Sequence, residues 1–577
     1  MRLITISVLS SILGIQVVSG SPDLPIVDLG YQLHQASFYN NIAGQQQTGG
    51  FYNFSNIRYA APPVDNLRFH APEPPATNRT VVETGASGRV CPQSSPAWLL
   101  EAIAFVTNVT QGLAFNSSAF REQQASNAST TPVRQPDPRT NEDCLVLDVV
   151  VPKSAFEQHR STNISGSGVP VLVWFHGGGY TTGSKDQFGG PAGLLAQATA
   201  FEPDGLVFVA INYRLGAFGW SAGPTIQSDG AANVGLLDQR LALDWVQKHI
   251  AKFGGDPKKV TVMGESAGGG SLMHHITAYG GSKGTAPPFR RAVIQSPAFF
   301  PHVDASQQEE NLQTFLALLN VSTLAEARKL PSSALITANS QQVAQSPYGQ
   351  FTYNPVIDHG YVPSHQATLF ARGQFDRDVD VMFSHNANEG LIFTDPSVTD
   401  GSAFRGLISK LFPSFNASLV EHIAEVVYPP VFDGTQPYVD DLGRGTLLMA
   451  ETRIVCNTLF LRRAFGNESL AYIFGVPPSL HGDDLKYTFY NGAYGAQMDS
   501  CSLNVTIAEV LQDYIASYAI SGKPATDVSG VGVFAKIGSK STAWTLDVAG
   551  VQSAIDGAVN DRCSWWQANW EAFPDTA

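Results

Sequence analysis

Gly264-Glu265-Ser266-Ala267-Gly268, continued by Gly269-Gly270, sets a serine between glycines. The apolar run 259–263 precedes it and a helical-looking segment, 271–276, follows it. A strand, a tight G-x-S-x-G turn and a helix hold a serine in a strained backbone, with its hydroxyl clear of the strand end. The chemistry of such a nucleophile elbow is attack on an acyl carbonyl. A serine hydroxyl is a weak nucleophile until a histidine accepts its proton. An acid must in turn fix that histidine's tautomer and stabilise the imidazolium. The carbonyl oxygen that turns negative needs N–H donors aimed at it. His176-Gly177-Gly178-Gly179-Tyr180, directly after the apolar run 171–175, is a glycine loop whose peptide planes can point there unobstructed. His176 reads as a residue that shapes this loop and carries no proton.

A strand with an H-G-G-G loop, and later a strand with G-x-S-x-G and a helix, match the oxyanion loop and elbow of α/β-hydrolases. Their chain order is serine, acid, histidine, with acid and base on loops after later strands. Of the 13 histidines, His302, His359, His365, His385, His422 and His481 lie well downstream of Ser266. His422 falls in a helical pattern over 419–427. His481 lies in the loop 476–482, just past the strand pattern 471–475, and is the expected base. The acid is expected after the strand pattern 379–384, where Glu389 in Asn386-Ala387-Asn388-Glu389-Gly390 is preferred. Two alternatives stay open: Asp395, whose neighbour Pro396 suits a turn, and Asp358, which suits a buried structural acid.

Loops so far apart in sequence must be gathered by a sheet. From 143 onward strand and helix patterns alternate, which predicts an α/β fold with a large, mainly parallel central sheet flanked by helices. The strand candidates are 145–151, 171–175, 206–211, 259–263, 291–295, 379–384 and 471–475. Apolar residues recur at helical spacing over 236–253, and Gly254-Gly255-Asp256-Pro257 ends that helix. Residues 21–90 read as short strands with turns. In the insertion between Cys91 and Cys144, the first half (97–106) is apolar and helical. The second half, 121–141, is rich in Gln, Ser, Thr and Pro and reads as loop. The region 301–440 is helix-rich without an evident nucleophile or base, and reads as a cap inserted in a single domain, 21–577.

Hydrophobic residues at 43% and charged ones at 15% describe a chain that buries a large core. A net charge of −14, with no basic cluster, argues against nucleic acid as a partner. Arg2, the apolar core 3–18 and the small residues Val18-Ser19-Gly20 read as a secretory signal over 1–20. No later stretch has the roughly 20 unbroken apolar residues of a transmembrane helix. A secreted, extracellular glycoprotein is expected, with sequons at Asn53, Asn78, Asn108, Asn116, Asn127, Asn163, Asn320, Asn416, Asn467 and Asn504. The five cysteines, 91, 144, 456, 501 and 563, show no C-x-x-C and no histidine at ligand spacing, so no metal or other cofactor is expected.

With these residues in hand, the chain resembles the type-B carboxylesterases, the family that includes cholinesterases and the large fungal lipases. The similarity spans roughly 25–570. It is strongest from Asn233-Val234-Gly235-Leu236-Leu237-Asp238-Gln239-Arg240 through Phe253-Gly254-Gly255-Asp256-Pro257 to the Ser266 motif. A second signature is Glu142-Asp143-Cys144-Leu145-Val146-Leu147-Asp148-Val149, with Val146 where the family has tyrosine or threonine. The resemblance implies a serine ester hydrolase with Ser266 as nucleophile, Glu389 as acid (glutamate being a mark of the family) and His481 as base. It implies an oxyanion hole from the N–H groups of Gly178, Gly179 and Ala267, and a buried supporting role for Glu265. It also implies disulfides Cys91–Cys144 and Cys456–Cys563, which leaves Cys501 free. The 91–144 loop corresponds to the mobile lid of the fungal lipases. Cholinesterases carry in this loop a tryptophan that stacks on choline, but here nothing aromatic lies between Phe120 and Cys144, which disfavours choline esters. Trp98, at the loop's other end, reads as packing. Small to medium apolar esters are the expected substrates. Alternatives are a lid-gated lipase acting on long-chain acylglycerol or sterol esters and, from another class, a non-catalytic adhesion protein of cholinesterase type.

Overall fold

The structure, a computed structural model, describes residues 24–40, 50–127, 137–162, 168–281, 287–299, 305–492, 503–538 and 542–570. Residues 1–20, read from the sequence as a signal segment, and Asn163 and Cys501 lie outside the described residues.

The strands, in chain order, begin with β1 (Ile26–Asp28), β2 (Leu33–Gln35), β3 (Phe38–Asn40), β4 (Phe51–Arg58) and β5 (Val82–Glu83). There follow β6 (Val146–Pro152), β7 (Val169–Phe175), β8 (Val207–Ile211), β9 (Gly255–Glu265) and β10 (Arg291–Gln295). The last four are β11 (Asp380–Asn386), β12 (Leu470–Phe474), β13 (Thr542–Asp547) and β14 (Gly550–Ile555). Eleven of them form one sheet in the order β14-β13-β12-β11-β10-β9-β7-β8-β6-β4-β3. From β13 to β8 every neighbour pair is parallel, and antiparallel strands extend both edges. All seven strand candidates of the sequence are strands of this sheet. β1, β2 and β5 make a small separate sheet.

The central strands read as unbroken apolar runs because both faces of the sheet are covered. In β7, Val171, Val173 and Phe175 enter one core and Leu172 and Trp174 the other. The first core contains the helices Val234–His249 and Ala267–Ile276, and the second the helices Ala192–Phe201 and Val505–Ser521. Burying each such side chain contributes roughly 1.5–3 kcal/mol, so the middle of the sheet is the most rigid support available for a site.

The stretch 301–440 contributes the helices Ala305–Leu318, Ser332–Ala344 and Gly401–Leu411, and also the core strand β11. The supposed loop 121–141 begins inside a helix, Ser117–Asn127, which packs on the helix Trp98–Thr110. Disulfides join Cys91 to Cys144 and Cys456 to Cys563, at sequence separations of 53 and 107. On the loop-entropy account each restricts the unfolded chain by about 4–5 kcal/mol. Among the described residues no helix is long and apolar enough to cross a membrane.

Candidate active site

Ser266 terminates β9 and opens the helix Ala267–Ile276 with φ 55° and ψ −122°. A left-handed φ is costly for a residue with a Cβ and persists only where its surroundings hold it. Here the Ser266 N–H donates to the Gln295 carbonyl at 3.1 Å, and its own carbonyl accepts from Gly270 and Ala298 at 2.8 and 2.9 Å. The turn needs its glycines: a Cβ on Gly268 would come 2.1 Å from the Phe175 carbonyl oxygen, and one on Gly264 would come 2.6 Å from the Gly268 carbonyl carbon.

The sheet register brings the glycine loop to the serine. Phe175, the last residue of β7, pairs with Gly264 of the adjacent β9, so the chain after Phe175 runs beside Ser266. A Cβ on Gly177 would lie 2.9 Å from that of Ser266. Gly178 and Gly179 take φ values of 111° and 59°. Among the described residues, the N–H groups of Gly178, Gly179 and Ala267 donate to no protein acceptor, and Ala267 is one of the orphan donors of a helix start. His176 stays within the scaffold. It stacks on Tyr213 with ring centroids 4.3 Å apart, and its Nδ1 lies 2.9 Å from the Gly177 carbonyl oxygen. Burial pushes its imidazole down to about 4.

His481 lies past the end of β12 and Glu389 three residues past the end of β11. The His481 Nε2 is 2.7 Å from the Ser266 Oγ, and its Nδ1 is 2.6 Å from the Glu389 Oε2. A carboxylate only accepts, so Nδ1 carries the proton and Nε2 is left to accept from the serine hydroxyl. The rival acids are engaged elsewhere. Asp395 accepts from Ser397 and Arg121, and Asp358 from Asn233, Gly360 and Val362.

Three carboxyl groups surround the imidazole. Burial opposes a charge on His481, but Glu389, Glu265 and Asp484 outweigh it and hold its pKa above the usual imidazole range. Burial likewise opposes the charge of Glu389, but His481 and the Asn386 N–H, both bonded to it, hold this carboxyl below the usual range. Glu265 has its Oε1 3.6 Å from the His481 Nε2. Burial pushes this carboxyl up to about 8, against the pull of His481, so a good part of it is uncharged near neutrality. Glu389 thus meets the Nδ1 edge of the ring in a hydrogen bond, whereas Glu265 lies beyond hydrogen-bond distance near the Nε2 edge.

Aromatic rings roof the site. Phe393 lies 5.1 Å from the His481 ring, and Phe351 packs so closely on Gly179 that a Cβ there would meet its ring at 2.4 Å. Trp98 touches both rings, at 5.7 and 6.2 Å, and its indole N–H donates to the Gln350 carbonyl at 2.8 Å. Its packing is therefore at the site itself.

The carboxylesterase family model matches residues 37–418. The chain belongs to that family. Over 94% of this carboxylesterase and 96% of the relative, it is 42% identical to carboxylesterase patB of Penicillium expansum. It is 29% identical to a secreted lipase of Arthroderma benhamiae over 74% of the chain and 82% of that protein. Among solved structures, the EstA protein of Aspergillus niger superposes with a TM-score of 0.74 at 23% identity, covering 95% and 98% of the two chains, and shows the shared α/β-hydrolase fold. The carboxylesterase is an ester hydrolase by family.

Several residues of the site carry little signal in the sequence. Phe351, Phe393, Gln295, Asn386 and Asp484 follow no periodicity or spacing rule, because their roles depend on loops that meet only in the folded sheet. The one available signal was the acidic Asp483-Asp484 pair directly after His481-Gly482.

Proposed function

We propose that this carboxylesterase is a secreted serine enzyme that hydrolyses small to medium apolar esters through an acyl-Ser266 intermediate. The observation that carries the proposal is the hydrogen-bonded line from Glu389 through His481 to Ser266, beside three backbone N–H groups without protein acceptors. His481 Nε2 takes the hydroxyl proton as Oγ bonds to the ester carbonyl carbon. The negative oxygen of the tetrahedral intermediate is held by Gly178, Gly179 and Ala267, each such donor contributing roughly 10²–10³ in rate. The C–O bond to the alcohol breaks, and the alcohol leaves with the proton from Nε2. Water, deprotonated by the same nitrogen, attacks the acyl-enzyme. The acid departs and the proton returns to Oγ.

The roof of Phe351, Phe393 and Trp98 supports apolar substrates of limited length. One observation favours the lipase alternative: on the helix Trp98–Thr110, Leu100 and Ile103 are 63% and 54% exposed. A series of p-nitrophenyl esters of increasing acyl length separates the two. The expected result is highest kcat/KM at short to medium acyl chains, with no rise in rate when substrate passes its solubility limit. A jump in rate at that limit, with long chains preferred, supports the lipase.

Secretion is supported by the two disulfides and by relatives that are secreted lipases. Sequon asparagines then differ in what a glycosyltransferase could reach. Asn78, Asn116, Asn320 and Asn416 are exposed, whereas Asn53 is in β4, paired on both sides by β3 and β6. Enzymatic deglycosylation in heavy-oxygen water, followed by peptide mass analysis of the secreted protein, is expected to tag the first four and leave Asn53 untagged. A tagged Asn53 contradicts the sheet position assigned to it.

A further inference from the structure

Behind the base and its acid lies a second buried carboxyl. Asp484, fully buried, receives the Asn386 Nδ2 on Oδ1 at 3.3 Å and the Gln295 Nε2 on Oδ2 at 3.0 Å. Asn386 and Gln295 are themselves buried, at the carboxyl ends of the neighbouring strands β11 and β10. Asn386 does two further things. Its backbone N–H donates to the Glu389 Oε1 at 2.6 Å. Its side chain donates at 2.7 Å to the carbonyl of Leu480, the residue before the base. The Asn388 N–H donates to the Ser479 carbonyl at 2.9 Å, so the acid loop and the base loop are tied along their backbones as well. One asparagine thus holds the acid, the peptide preceding the base, and the buried aspartate.

We propose that Asp484 and Asn386 are positioning residues that set His481 at bonding distance from Ser266, with Asp484 acting as a double acceptor. Two amide NH2 groups converge on its two oxygens, and an ionised carboxylate accepts on both without offering a donor of its own; the Gln295 Nε2 also lies 3.0 Å from the Tyr472 hydroxyl and from the Thr488 Oγ1. An amide at this position replaces one acceptor oxygen with a donor, and a protonated acid adds a donor where there was none. The buried state makes that mismatch costly, since a buried donor without an acceptor loses its hydration for no return. The charge of Asp484 also acts on the base, as one of the three carboxyls that hold the His481 pKa up. The titratable groups facing Asp484 and His481 are Glu265 from β9, Glu389 from the loop after β11 and Tyr472 from β12. Burial and the Glu389 charge push Asp484 itself up to about 7, against the pull of Asn386 and His481. The double-acceptor form therefore weakens as pH falls through neutrality.

The proposal rests on His481 being the base, and Asp484→Asn and Asn386→Ala test it. Asn386→Ala keeps the backbone N–H to Glu389 while removing both side-chain ties. Activity is measured per active site, titrated with a fluorophosphonate. In each variant kcat is expected to fall about 10- to 100-fold, the scale of a small misplacement of a catalytic group, with KM within about twofold. In Asp484→Asn the acid limb of kcat/KM against pH is also expected to move to lower pH, because His481 loses one facing carboxylate. The double variant is expected to lose no more than the worse single one, since both break the same tie. Variants that lower only the melting temperature or the yield, with kcat per titrated site and the acid limb unmoved, overturn the proposal. If Asp484→Asn does not fold, Asn386→Ala with unchanged kcat per site overturns it alone. His481→Ala distinguishes the two levels: if it keeps activity, the base assignment has failed, and if it is inactive while both other variants behave as wild type, only the positioning role has.

Discussion

Ser266→Ala is expected to lower kcat by on the order of 10⁶, the scale seen when the nucleophile of a serine hydrolase is removed. The size of the loss follows from what a methyl group cannot do. The His481 Nε2, 2.7 Å from the Ser266 Oγ, loses the protein hydroxyl it activates, and no acyl-enzyme forms. The N–H groups of Gly178, Gly179 and Ala267 stay in place, so a residual acceleration of about 10³–10⁴ over water is expected to survive, from substrate binding and oxyanion stabilisation alone. The KM for a short p-nitrophenyl ester should change little, because the serine contributes a reacting atom and little binding surface. The strained backbone at residue 266 belongs to the turn and is held by Gln295, Gly270 and Ala298, so alanine fits there. A variant retaining more than about a hundredth of the wild-type kcat contradicts the assignment of the nucleophile.

Glu389→Gln is the second large effect, a fall of about 10⁴ in kcat with little change in structure. The Asn386 N–H already donates to Oε1, so the glutamine carbonyl oxygen takes that place and its NH2 faces His481. An NH2 facing Nδ1 makes that nitrogen the acceptor and moves the ring proton to Nε2, where it points at the Ser266 hydroxyl. The base is then in the wrong tautomer. The pH profile adds a signature. With its carboxylate neighbours the His481 pKa is held above the usual imidazole range of about 6.5, so wild-type kcat/KM should rise with pH through a limb above that value. Removing the Glu389 charge lets burial dominate and moves the limb down. A variant within tenfold of wild type, or a limb that stays put, contradicts the role of Glu389.

The parts of the site that follow from local rules are legible in the chain. A sharp strand-to-helix turn demands Gly264 and Gly268, whose close approach to neighbouring backbone no other residue permits. A doubly covered sheet demands apolar runs such as 171–175. Those two demands locate Ser266 and the glycine loop, and the order of the later strands then leaves few candidates for the acid and the base. What the chain conceals are contacts of high sequence separation between loops. Asp484 meets Gln295 across 189 residues, and Trp98 meets Gln350 across 252. Neither pair has a spacing that a periodicity could reveal.

The helix Ser117–Asn127 was hidden for a different reason. Its sequence, Ser117-Ser118-Ala119-Phe120-Arg121-Glu122-Gln123-Gln124, has one large apolar residue, so no apolar stripe announces it. Its order comes from specific ties: the Asn116 side chain accepts from the Ala119 N–H, Arg121 pairs with Glu101 at 2.8 Å, and Phe120 packs on Phe115. The edge hairpin of β13 and β14 went unread as well, because its alternating side chains are half exposed and interrupted by small residues.

The central claim is that one serine hydroxyl, activated by one imidazole, carries out the chemistry. Labelling with a fluorophosphonate, followed by peptide mass mapping, tests it most directly. The expected result is a single adduct on the peptide containing Ser266, formed stoichiometrically with loss of esterase activity, and formed far more slowly in His481→Ala. An adduct on another residue that tracks the loss of activity, or full inactivation with residue 266 unmodified, would contradict it.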